Sequence, residues 1–163
     1  MKLHVIAVGH RMPDWVTAGF SDYARRMPRE MTLTLTELKP EARPANAGAA
    51  AITRIVDAEA LRISNAIPKG AMTIVLDETG KLVTTVQLSQ RLTTWRDSGR
   101  DVALVIGGAD GTAAALKKSA DWLWSLSPLT LPHGLVRVVL AEQLYRAWSV
   151  LGNHPYHRAE LRT

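Results

Sequence analysis

Cysteine is missing from all 163 residues. Disulfides, cysteine-ligated zinc, iron–sulfur clusters and thiol nucleophiles are excluded together, so any chemistry must rest on other side chains. Long hydrophobic runs at the N-terminus are missing too. The first apolar stretch, Leu3 to Val8, stops at Gly9. That is too short for a signal-peptide core and far too short to cross a bilayer, so it reads as a first strand and the compartment as cytoplasm. There is no repeat and no low-complexity tract. The stretch Ile106-Gly-Gly-Ala-Asp-Gly111 lacks the G-x-G-x-x-G spacing, and no lysine with Ser or Thr follows it in phosphate-loop register. A dinucleotide or ATP site is therefore disfavoured.

What is present sets the scale. With 47% hydrophobic residues, the chain reads as one domain over residues 1–163, long enough to bury a real core. Its formal charge is +5 while only 21% of residues are charged, so the excess is one of sign and not of density. A basic balance favours a polyanionic partner such as RNA or DNA, because each neutralised phosphate releases a counterion. A soluble protein that is merely basic would carry the same charge.

Apolar runs of strand length alternate with segments of helical period. Leu3 to Val8 predicts a buried strand, and Pro13-Asp14-Trp15 opens a helix to about Met27, proline being tolerated where a helix begins. Met31 to Glu37 alternates strictly and predicts a half-exposed strand. Lys39 to Gly48 reads as a loop. Ala49 to Ile67 follows as a helix with Ile52, Ile55, Val56, Ala60 and Ile63 on its apolar side. Ala71 to Asp77 predicts a buried strand, then a turn through Gly80, a helix from Thr85 to Ser98, and a strand from Asp101 to Gly107. Together they predict an α/β fold with a mostly parallel sheet flanked by helices.

Two strand ends, Leu76 to Gly80 and Ile106 to Gly111, are candidate walls of one pocket, since ligands in open α/β sheets sit beyond the carboxyl ends of strands. The glycines would equally serve a tight strand-to-helix turn capped by Asp110 or Thr112. Further on, Ser125-Leu-Ser-Pro-Leu-Thr-Leu-Pro-His133 is a proline-rigidified loop that runs into a long helix. At about 100° per residue, Val136, Leu140, Leu144, Ala147, Trp148 and Leu151 form one apolar sector of that helix. Leu135, Val139 and Val150 fall in another, beside Glu142, Gln143 and Arg146. The two sectors suggest that one side meets the sheet and the other a second subunit. Arg137 falls inside the apolar sector, where it either finds an anionic or carbonyl partner or snorkels to the surface.

The ordered set Leu76-Asp77, Ile106-Gly107-Gly108, Ser125 to His133, Val136-Arg137-Val138, Glu142 to Ala147 and His154-Pro-Tyr-His157 resembles the RlmH family of SPOUT-class methyltransferases. Lys2-Leu3, Ala7-Val-Gly9 and Met12-Pro-Asp-Trp15 resemble its N-terminal pattern, so the likeness covers nearly the whole chain. The resemblance implies a trefoil-knotted α/β fold, a rare exception among chain topologies. It also implies a homodimer with active sites near the subunit interface, S-adenosylmethionine as methyl donor, and the N3 of a pseudouridine in helix 69 of large-subunit ribosomal RNA as acceptor. The partner would be the RNA or the assembled ribosome, with neither metal nor membrane. Cofactor contacts implied are Leu76, Gly107, Gly108, Ser127, Pro128, Leu129, Thr130, Leu131 and Pro132. Two places depart from the pattern: Gly134, where relatives often carry a bulkier residue, and the tail Ala159 to Thr163, which extends past the usual end.

Methyl transfer to a ring nitrogen is an in-line displacement, helped by alignment and by a base that takes up the imide proton. By position the candidates are His133, Glu142, Tyr156, His154 and His157, and no single catalytic base is identifiable. Tyr156 and His157 are the favoured base contacts, with Arg137, Arg146, His154 and Arg158 as further RNA contacts. Glu142 would also fit a salt bridge to Arg146 four residues on. Two other classes fit less of the sequence: a non-catalytic RNA-binding or ribosome-assembly factor, and a small-molecule enzyme on a flavodoxin-like sheet.

Overall fold

A computed structural model describes residues 1–160. Five strands and five α-helices alternate: β1 Lys2–Val8, α1 Asp14–Arg26, β2 Thr32–Leu38, α2 Ala49–Ala66, β3 Met72–Leu82, α3 Thr85–Asp97, β4 Val102–Ile106, α4 Ala114–Ser119, β5 Trp122–Ser125 and α5 His133–Leu151. A 3₁₀ segment, Pro155–Glu160, follows. Of the departing tail Ala159 to Thr163, residues 161–163 lie outside the described residues.

The sheet order is β2-β1-β4-β3-β5, and every paired neighbour runs parallel. Because side chains alternate along a strand, each strand feeds both faces. Leu3, Val5, Ala7, Val102, Leu104 and Ile106 point to a core shared with Phe20, Leu88, Leu92, Leu140 and Leu144, so α1, α3 and α5 cover that face. Ile6, Val8, Val75, Ala103 and Val105 pack with Ile63 and Leu116, which places α2 and α4 on the other. β4 is buried along its whole length, as the continuous run Val-Ala-Leu-Val-Ile requires of a central parallel strand. Local signals agree with the tertiary ones at α3. Thr84 caps it, accepting from the Gln87 amide at 3.2 Å while Gln87 Oε1 accepts from the Thr84 amide at 2.9 Å.

Two parts of the sheet differ from the sequence-based expectation. Gly80 is not a turn: β3 continues to Leu82 and pairs with β5 twice, as Leu76↔Trp124 and again, after a register shift, as Lys81↔Trp124 and Leu82↔Ser125. The residues between bulge outward, and Asp77 closes the excursion by accepting from the Thr79 amide at 2.9 Å. Gly80 allows this because a β-carbon there would sit 2.6 Å from both the N and the C of Trp124. α4 and β5 were not expected from the pattern. β5 has four residues and its burial comes from indoles: Trp122 stacks on Trp124 with centroids 5.3 Å apart, Trp95 lies 6.1 Å from Trp122, and the Arg91 guanidinium sits 3.9 Å from the Trp122 ring centre.

The two-sided helix finds part of its second contact within the chain. α5 packs between α1 and α3 of its own chain, which supply much of the second contact the wheel demanded. Gly19 of α1 faces Val138, and a β-carbon on Gly134 would lie 2.9 Å from Val16 Cγ2. The small residue at 134 therefore belongs to a close α1–α5 approach.

Gly80→Val should force β5 away from β3. The expected loss is about 2 kcal/mol, read as a melting temperature lower by about 4–8 °C for a chain of this size.

Candidate functional site

A cavity of about 460 Å³ opens at the carboxyl ends of β3, β4 and β5. Its walls are Leu76 and Asp77 from β3, the loop Ile106 to Thr112, the segment Trp124 to Leu131 apart from Pro128, and His133 and Val136 on the first turn of α5. Of the expected cofactor contacts, Leu76, Gly107, Gly108, Ser127, Leu129, Thr130 and Leu131 line it. Pro128 and Pro132 do not, and act instead by fixing backbone on either side of the run. The loop after β5 is braced from within: Ser125 Oγ donates to the Ser127 carbonyl at 3.0 Å, and the Leu129 amide donates to Ser127 Oγ at 2.9 Å. Leu129, 75% exposed, stands at the rim.

The glycines serve tight packing behind the wall. A β-carbon on Gly107 would overlap Thr112 Oγ1 and sit 3.0 Å from the Gly111 carbonyl oxygen, and one on Gly108 would overlap the Glu59 carboxylate. Gly111 has φ +83°, and its amide donates to the Gly108 carbonyl at 3.0 Å. The segment is a tight turn whose backbone walls the cavity, but neither Asp110 nor Thr112 caps the helix that follows: the N-cap of α4 is Ala113, without a side-chain bond.

Charge in the pocket is held by specific partners. Burial pushes the Asp77 carboxyl up, but the hydroxyl and amide of Thr79 and the Lys117 ammonium, 3.2 Å away, together hold it below the usual carboxylate range. Burial pushes the His133 imidazole down, and Arg137 adds to the effect against the backbone of Gly108. Its Nδ1 is buried with no hydrogen-bond partner among the described residues. Apolar walls from Leu76, Ile106, Leu131 and Val136 on a constrained backbone fit a nucleoside-sized ligand such as S-adenosylmethionine.

The remaining candidates gather elsewhere, on the far half of α5. Glu142 accepts from Arg146 Nε at 2.8 Å, from Gln143 Nε2 at 2.6 Å and from the Tyr156 hydroxyl at 3.0 Å. The Arg146 guanidinium also sits 4.9 Å from the Tyr156 ring centre, and that ring lies 4.8 Å from Tyr145. Burial, then Tyr23 and Glu142, push the Tyr156 phenol well up. His154 Nδ1 accepts from the Tyr156 amide at 3.3 Å, His157 is half-buried, and Arg158 donates to Asn153 Oδ1 at 2.9 Å. At about 1.5 Å per residue, Glu142 lies roughly 13 Å along the helix from His133.

Arg137 corrects an expectation. Counted among RNA contacts, it is 1% exposed; it donates to Glu37 Oε2 at 2.6 Å and to the Gly9 carbonyl at 2.9 Å. It clamps the end of β2 and the turn after β1 to α5, and its guanidinium does not face solvent. The sequence reading overlooked Glu59, although its place midway between Ile55 and Ile63 at helical spacing put an acid on the apolar face of α2. Lys117, an expected partner of nothing, reaches the pocket through Asp77. Among the described residues no His/Asp/Glu group could hold a metal ion, and no helix is long and apolar enough to cross a membrane.

Two outcomes are expected. In an NMR titration the His133 ring should protonate below pH 6.5; because its folded pKa lies below the unfolded one, stability should fall as pH drops through that value, and His133→Asn should lessen the fall. Arg137→Met should lower stability by about 2–4 kcal/mol in denaturant unfolding, since the Gly9 carbonyl loses its donor and Glu37 its counter-charge.

Known proteins share this chain's sequence pattern over nearly its whole length. A family model described as predicted SPOUT methyltransferase matches residues 1–157. Proteins named ribosomal RNA large subunit methyltransferase H from Burkholderia mallei (strain SAVP1) and Burkholderia pseudomallei (strain 668) are each 57% identical over 159 residues, covering 98% of this chain and 100% of theirs. Among solved structures, a probable methylase family protein from Haemophilus influenzae Rd KW20 superposes with a TM-score of 0.56 at 13% identity, over 96% of this chain and 69% of that one, a likeness of fold. With a match of this extent, the chain belongs to the RlmH family of SPOUT methyltransferases.

Proposed function

We propose that this protein uses S-adenosylmethionine to methylate large-subunit ribosomal RNA, at N3 of a pseudouridine in helix 69, and that it works as a cytoplasmic homodimer on the RNA or the assembled ribosome. The observation that carries the reading is the convergence of three loops, distant in sequence, on one nucleoside-sized cavity.

The bound cofactor would supply a methyl group on a sulfonium, which needs no further activation. The chain's own residues then have three tasks. Leu76, Ile106, Leu131 and Val136 exclude water and fix the plane of the adenine. The loops at Gly107–Gly108 and 127–131 are held in place by their own hydrogen bonds, so the shape of the wall would be set before the acceptor arrives. His133 lines the pocket with an imidazole whose pKa burial lowers, which keeps it among the candidates for taking up the imide proton of the acceptor ring.

Support for the dimer comes from the separation of the two groups of candidates. His133 sits at the start of α5, whereas Glu142, Arg146, Tyr156 and His157 gather towards its far end. A second copy packed against α1 and α5 would bring the tail of one subunit to the pocket of the other, where His154, His157 and Arg158 would meet phosphate and base.

Calorimetry with S-adenosylhomocysteine should show one site per chain, and ribosomal RNA from a strain lacking the protein should lose one methyl group on a pseudouridine by mass mapping. A protein that binds ribosomal RNA with no cofactor heat would be an assembly factor. Removing residues from His154 onward should leave cofactor binding intact and abolish methylation. Sedimentation at micromolar concentration should report a dimer.

A further inference from the structure

Beneath the glycine loop lies a buried acid with no part in the chemistry above. Glu59 of α2 is 6% exposed. A β-carbon on Gly108 would overlap its Oε2 and sit 3.1 Å from Cδ and 3.2 Å from Oε1, so the carboxylate packs directly against backbone that walls the cavity. Burial pushes its pKa up and Asp110 adds to the rise, while the Glu41 backbone amide and Arg62 act the other way. An acid in such a place is unfavourable unless its surroundings answer it. A partial answer comes from the segment 39–43, whose Glu41 backbone amide bonds the carboxylate, and that segment is itself tied down. Arg62 donates to the Lys39 carbonyl at 2.7 Å and pairs with Glu41. Arg43 pairs at 3.1 Å with Asp110, which belongs to the glycine loop itself. The segment is thus tied to α2 at one end and to the pocket wall at the other.

We infer that Glu59, together with the strap of residues 39–43, positions the cofactor loop: the carboxylate seats Gly108, and Arg43 anchors Asp110, so the wall is formed before a ligand enters. A loop holding Gly107, Gly108 and Gly111 has more backbone freedom to lose than any other of its length. Fixing it in advance removes that loss from the binding step. The same contact dictates residue 108, because the space a side chain would need is filled by Glu59 and not by the ligand. The inference rests on reading the cavity as the S-adenosylmethionine site.

The test uses the full chain without cofactor and then with S-adenosylhomocysteine. In Glu59→Ala, amide hydrogen exchange should speed up in residues 107–111 and stay unchanged in β4, and affinity should fall about tenfold or more, while Glu59→Gln, of similar shape, keeps most of it. Arg43→Gln, at an exposed position that should not impair folding, should weaken affinity about threefold at unchanged melting temperature. Gly108→Ala should bind poorly, and adding Glu59→Ala to it should restore part of the loss. Unchanged exchange in residues 107–111 of Glu59→Ala, or losses that simply add in the double variant, would overturn the inference. If the wild-type chain binds no S-adenosylhomocysteine, the reading of the pocket fails, and the exchange measurement still decides whether Glu59 positions the loop.

Discussion

Parallel pairing of β3 with both β4 and β5 is the constraint on which the site depends. Parallel strands end together, so the bulge at Asp77 to Gly80, the glycine loop after β4 and the proline-bounded loop after β5 are delivered to the same end of the sheet. The pairing in turn depends on the bare backbone of Gly80, which lets Trp124 approach closely enough to be paired twice. Without that contact Leu76 and Ser127 would have no reason to face one another across a cavity. The tryptophan stack on β5 reinforces the edge by burying large apolar area on a strand of only four residues.

Polar groups behind the walls keep this arrangement in register. Arg137, Glu59 and the Asp77–Lys117 pair each sit under a different loop of the sheet's carboxyl end; Arg137 and Asp77 have their charge answered by a neighbouring element, whereas burial holds Glu59 above its ordinary range. Arg137 joins α5 to β1 and β2; Glu59 joins α2 to the loop after β4; Lys117 joins α4 to the bulge in β3. Helices from both faces are therefore coupled to the rim by groups whose removal would leave a buried partner unsatisfied. The apolar core sets the fold, and these contacts set where its loops stand.

Much of this was legible in the residues, for identifiable reasons. Val102 to Ile106 and Leu3 to Val8 are continuous apolar runs that only central strands tolerate, and α2 and α5 carry clear helical periods. The loop Ser127 to Pro132 announced itself by prolines flanking small and apolar residues. What escaped was non-periodic: β5 is too short and too aromatic to alternate, and Gly80 has the composition of a turn although strand pairing holds it extended. Arg137 was placed correctly on the buried face, yet its partners lie 128 and 100 residues away, a distance no local pattern spans. Tyr156 looked like an exposed aromatic tail residue, but docking against Tyr145 and Glu142 is a tertiary fact.

The order of the strands has a consequence for how the protein comes into being. β1 to β4 make a contiguous four-stranded layer within residues 2–106, whereas the cleft also needs β5 and the opening turn of α5, which follow in the chain. One face of that layer is covered only when α5 adds Leu140 and Leu144, so the helix that closes the core also brings the last wall of the cavity.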